Sequence, residues 1–109
     1  MSKANTKRNK ETKILYFDTS DRNKIIIGFD EKHWEFTSEN QKPQDLVGLI
    51  EKTLKKEKIN LKEIKEVEVN LGPGSFTGLK IGVAVANALG FALDIPVNGG
   101  RKLVLPKYE

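Results

Sequence analysis

Residues 79–93, LKIGVAVANALGFAL, carry one charged side chain and one amide; the rest is apolar or glycine. A helix with so little polar surface must be covered on nearly every side. A β-branched run at 67–71 precedes it, and GPGSFTG at 72–78 joins the two. The segment therefore reads as strand, glycine turn and buried helix, which commits the chain to a helix packed on a sheet. At 15 residues the apolar run is shorter than the ~20 of a bilayer-spanning helix, so no membrane partner is expected.

The upstream strands follow from pattern. Residues 13–20 (KILYFDTS) are apolar on both faces, as in a central strand. Residues 23–29 give a second strand, and 33–37 a third with Trp34 and Phe36 on one face. Their short connections imply antiparallel neighbours. Residues 44–57 read as an amphipathic helix with Leu46, Val47, Leu49, Ile50 and Leu54 at helical spacing. Residues 60–64 give a short helical turn, and Ile95, Pro96 and Val97 a fifth short strand that Gly99 and Gly100 end. Residues 102–108 form a terminal extended segment. The order β-β-β-α-β-α-β is an α/β domain, a meander continued by parallel strands through crossover helices.

Charge is unevenly placed. The net charge of +4 is matched by residues 1–13 alone, through Lys3, Lys7, Arg8, Lys10 and Lys13 against Glu11. The chain divides into a disordered basic leader, 1–12, and a domain, 13–109, in which residues 14–109 balance at 14 basic and 14 acidic. The leader fits a solvated tail or an RNA-contacting arm; no aromatic side chain accompanies it for base stacking. The polar N-terminus lacks the apolar core of a secretory signal. Absence of cysteine removes disulfides, thiolate nucleophiles and Cys-ligated zinc, and fits a cytoplasmic setting.

Several chemistries are poorly served. His33 is the single histidine, so paired-His metal motifs and a conventional Ser-His-Asp arrangement lack their parts. Gly78 is followed by Leu79, Lys80 and Ile81, which fails the Walker A pattern. Two stretches remain. Gly72, Gly74, Ser75, Thr77, Gly78 and Lys80 form a turn whose backbone N–H groups, at a helix N-terminus, suit an anion. The same turn also serves as a strand-to-helix connection that binds nothing, with Ser75 or Thr77 capping the helix. Asp18, Thr19 and Ser20, at a strand end, suit a Mg-phosphate group or a structural turn. Finally, Gly82, Ala86 and Gly90 line one face of the apolar helix. Either the first helix covers that face, or a second subunit does.

The string GPGSFTGLKIG, with ILYFDTS at 14–20 upstream and GFALDIPVNG at 90–99 downstream, resembles the TsaB (YeaZ) family. These are tRNA threonylcarbamoyladenosine biosynthesis proteins. The resemblance covers about residues 13–99 and implies one subdomain of the actin-like, sugar-kinase-like ATPase fold. It implies a non-catalytic scaffold with no intrinsic cofactor or metal. A TsaD-like partner would carry the ATP and metal chemistry that modifies adenosine next to the tRNA anticodon, with ATP and Mg near their interface. A TsaE-like ATPase joins in bacteria, tRNA is contacted indirectly, and family members also form homodimers through their helices. The matching contacts here are Leu46, Ile50, Leu79, Gly82, Val83, Ala86 and Gly90. The chain departs from the family pattern at two places. Lys80 stands where Arg is usual, replacing a planar fork by a point charge. Only 12 residues follow Val97, where the family has a second subdomain. The rival expectation is an autonomous nucleotide-binding enzyme using Asp18, Thr19 and Ser75.

Overall fold

A computed structural model describes residues 12–37 and 42–107. Strands β1 (Ile14–Asp18), β2 (Lys24–Phe29) and β3 (Lys32–Thr37) form the antiparallel meander, and β4 (Glu66–Val69) pairs parallel with β1. The sheet order is β3-β2-β1-β4. Between β3 and β4 a 3-10 turn (Pro43–Asp45) leads into helix α1 (Leu46–Lys56), and a second 3-10 turn (Leu61–Glu63) leads out. Helix α2 (Phe76–Leu93) follows β4 and lies over β1 and β4.

Strand alternation puts Leu15, Phe17, Ile25, Ile27, Val67 and Val69 on the helix-bearing face, all buried. Leu46, Leu49, Ile50 and Leu54 of α1 and Ala86 of α2 complete the core cluster. Of the five apolar positions read for the first helix, four close the core, and Val47 is 60% exposed.

Three expectations need correction. The buried helix starts at Phe76, because Ser75 caps it: its Oγ accepts from Gly78 N–H at 3.3 Å. The helix is therefore 18 residues with mean hydropathy 1.5, long and apolar enough by length and composition to cross a membrane. The length argument lapses; Leu79, Val83 and Ala86 are buried against the domain, while 33% of the helix as a whole is buried. The fifth strand shrinks to one parallel bridge, Val67 with Val97. The Pro96 carbonyl and the Asn98 N–H still bond Val67, but the backbone turns away at Asn98 and Gly99, with φ of 51° and 81°, so the Asn98 side chain continues the ladder. Its Oδ1 accepts from Val69 N–H at 2.8 Å and its Nδ2 donates to the Val69 carbonyl at 3.1 Å. The leader, apart from Thr12, lies outside the described residues, as does Tyr108.

Candidate functional site

Two features survive as candidates: the polar junction where β1 meets the glycine turn, and the outer surface of the two helices. At the junction, Asp18 ends β1. Its Oδ1 accepts from Ser20 N–H at 2.8 Å; its Oδ2 accepts from Asn70 Nδ2 at 3.1 Å and from the Tyr16 hydroxyl at 3.2 Å. Asn70 also donates to Ser20 Oγ at 3.2 Å and accepts from Gly72 N–H at 2.9 Å. Asn70 thus ties the strand end to the glycine turn. Sequence reasoning missed it, because an Asn at the end of a strand reads as an ordinary loop residue.

The glycines pack where no side chain fits. A Cβ on Gly74 would come within 2.6 Å of Ser20, and one on Gly78 would strike the carbonyl of Thr19. One on Gly82 would strike Thr19 Oγ1. Thr19 is fully buried, and its hydroxyl donates to the Gly78 carbonyl at 2.5 Å. Only Gly72 of the turn has positive φ, at 117°, and there the Lys107 carbonyl takes the place of a side chain. Two of the turn's donors are used within the fold: Ser75 N–H donates to the Ser20 carbonyl at 2.7 Å, and Gly78 N–H to Ser75 Oγ. Thr77 is exposed and leaves the cap to Ser75. Lys80 lies over the exposed Phe76 ring, 5.8 Å from its centroid. Asp18, Thr19, Ser20, Gly74, Ser75 and Gly78 come together along a seam between two turns.

Burial acts to raise the Asp18 pKa, yet hydrogen bonds from Ser20, Asn70 and Tyr16 outweigh it and hold the carboxyl below its ordinary 3.8. The lowered value means that Asp18 stabilises the fold above pH 3.8, and that this is lost as pH falls through its folded pKa. The stability gap between wild type and Asp18→Asn, followed by urea unfolding, should therefore narrow below pH 3.8. A gap that does not change with pH would refute the ionic role. Tyr16 is pushed up to about 12 by burial and by the Asp18 charge. Its neutral form stabilises the fold fully below pH 10 and ceases to do so as pH passes about 12.

The helices present the second feature. The seven predicted contacts are interior: Leu46, Leu79 and Ala86 have no exposed surface, Ile50 and Val83 are 4% exposed, and Gly82 and Gly90 are buried. The small-residue stripe Gly82–Ala86–Gly90 turns to the sheet. Gly82 admits Thr19, and Gly90 admits Val97, whose Cγ2 lies 2.5 Å from where a Cβ would stand. The physical reason is that close approach is needed on the sheet side, where the helix backbone rests on the side chains of Thr19 and Val97. The open side carries a different alanine stripe, Ala84, Ala88 and Ala92. With Val85 and Leu89 of α2, and Val47, Ile50 and Leu54 of α1, it lines an apolar groove of about 760 Å³. Glu51 and Lys55 stand on its α1 wall, and Ile50 is the one predicted contact that lines it.

A family model described as TsaD, tRNA N6-adenosine threonylcarbamoyltransferase, matches residues 38–101. The tRNA threonylcarbamoyladenosine biosynthesis protein TsaB of Buchnera aphidicola subsp. Schizaphis graminum is 35% identical over 89 residues, which are 79% of this chain and 42% of that protein. The chain belongs to this family, as a TsaB (YeaZ) member. The solved YeaZ from Pseudomonas aeruginosa matches with TM-score 0.65 and 25% identity over 77% of this chain and 41% of that one. A tRNA N6-adenosine threonylcarbamoyltransferase of Tropheryma whipplei is 39% identical over 59 residues, 54% of this chain and 15% of that protein. The chain thus spans about two-fifths of the TsaB relative it matches. Its sheet and helices form an α/β subdomain of the actin-like fold.

Proposed function

We propose that this TsaB-type chain is a non-catalytic subunit in tRNA threonylcarbamoyladenosine formation, docking a TsaD-like catalytic subunit through the α1/α2 groove. The groove carries this reading. It is apolar, open, and flanked by Val47 and Leu61, which are 60% and 45% exposed. A surface of that kind on a small domain marks an interaction site. The names of the relatives supply the pathway: one is a biosynthesis protein, another the transferase. A second copy of the chain is the natural occupant when the catalytic subunit is absent, and a TsaE-like ATPase and tRNA join through that subunit.

The junction supports the scaffold over the nucleotide-binding alternative. Both carboxylate oxygens of Asp18 accept hydrogen bonds within the fold, and two donors of the turn, Ser75 N–H and Gly78 N–H, are bonded to the Ser20 carbonyl and Ser75 Oγ. ATP and Mg then belong near the interface with the partner. Isothermal titration of the isolated chain with Mg-ATP is expected to give no heat of binding. A Kd of about 100 µM or tighter would favour the autonomous enzyme. Light scattering of the chain mixed with a TsaD-type protein should show a complex at about 10 µM of each; none at that concentration would refute the scaffold.

A further inference from the structure

The groove leaves one set of exposed apolar side chains unaccounted for. Phe91, Leu103 and Leu105 are 88%, 75% and 73% exposed. Phe91 and Leu103 border a hollow of about 250 Å³ on the side of α2 away from the groove. Leu103 and Leu105 belong to an arm beyond residue 101, where the match to the family model ends.

The arm is held like a strand. The Asn87 amide grips Val104 twice, its Oδ1 accepting from the Val104 N–H and its Nδ2 donating to the carbonyl, both at 3.0 Å. Lys107 N–H donates to the Leu71 carbonyl at 2.6 Å. In an extended chain, successive residues aim their backbone groups to opposite sides. With Val104 turned to Asn87, Leu103 and Leu105 aim theirs outward. Among the described residues, neither pairs its N–H or its carbonyl with another group. The result is a short strand edge with open donors and acceptors, bordered by exposed leucines. Open edges recruit strands. Its charge is positive: Lys102 and Lys107 flank it, no acidic residue occurs between 95 and 107, and Arg101 is paired at 2.8 Å with Asp94.

We infer that residues 103–105 accept an extended segment of another protein, apolar at alternate positions and carrying carboxylates at its ends. A second copy of this chain fits poorly. Antiparallel self-pairing of Leu103 with Leu105 would bring two edges together that are each flanked by Lys102 and Lys107, like charge on like charge. This surface is separate from the α1/α2 groove, so the two readings stand or fall independently.

The test uses the full chain, isotope-labelled, and two synthetic heptapeptides of alternating valine and threonine, one ended by glutamates and one by lysines. The acid-ended peptide should slow amide exchange at Leu103 and Leu105 about tenfold, leaving the already bonded Val104 little changed. Lys102→Glu with Lys107→Glu should transfer the preference to the lysine-ended peptide. Equal binding of both peptides, protection at the free edge of β3 instead, or no protection at about 1 mM peptide would each overturn the proposal. Protection that rises with protein concentration alone would overturn it in favour of a second copy.

Discussion

Gly78→Ala is expected to destabilise the domain by about 3 kcal/mol, although alanine is the better helix former by about 1 kcal/mol. The Cβ would meet the Thr19 carbonyl, a backbone atom of a residue with no exposed surface. That carbonyl has nowhere to withdraw, since the Thr19 hydroxyl is bonded back to Gly78. Gly48→Ala is the matched control. Gly48 is exposed in α1 with nothing within 4 Å of its absent Cβ, and the change should stabilise by about 0.5–1 kcal/mol. Urea unfolding of the two variants should therefore move in opposite directions. Gly82→Ala adds a finer test, because it meets Thr19 Oγ1 and not the carbonyl. Thr19→Ala should partly rescue Gly82→Ala and leave Gly78→Ala unrelieved. Equal effects at Gly78 and Gly48 would show that the seam relaxes freely.

The same seam explains what the sequence made legible. Alternating and continuous apolar runs were enough for the meander and the parallel return, because each core position is set by its own strand. The cap was narrowed to Ser75 or Thr77; the choice depends on backbone angles that residue type does not reveal. GPGSFTG identified the family but not the work of its glycines. Donor-rich glycine turns look alike whether their N–H groups meet an anion or another turn, and here one of them, Ser75 N–H, meets the turn at 18–20, more than fifty residues upstream. Burial of Gly82, Ala86 and Gly90 was hidden for a related reason. A helix apolar all round gives no phase, so the stripe facing the sheet and the stripe facing outward cannot be told apart by periodicity. The last strand ended at the turn of Asn98 and Gly99, where a side-chain amide took over the ladder. Such substitutions by Asn98, and by Asn87 along the arm, leave no periodic trace.

Phase along α2 decides the second large effect. Ala86 has no exposed surface, so Ala86→Arg would unfold the domain and report nothing about an interface. Ala88, two residues on, is exposed and lines the groove. Ala88→Glu should leave the fold intact, costing a few tenths of a kcal/mol, because glutamate is nearly as good a helix former as alanine. In the complex with a TsaD-type subunit, that carboxylate would be buried on an apolar floor without a partner. The expected loss is about 3 kcal/mol, roughly a hundredfold in Kd. Circular dichroism checks that the melting curve is kept, and titration with the catalytic subunit reads the affinity. The same change should dissociate any homodimer seated on the groove. If Ala88→Glu binds as tightly as wild type while Val47→Glu, on the α1 wall, also does, the groove is not the docking surface. If Ala88→Glu alone is tolerated, the partner meets the α1 wall and leaves the α2 floor wet, which moves the interface toward Glu51 and Lys55.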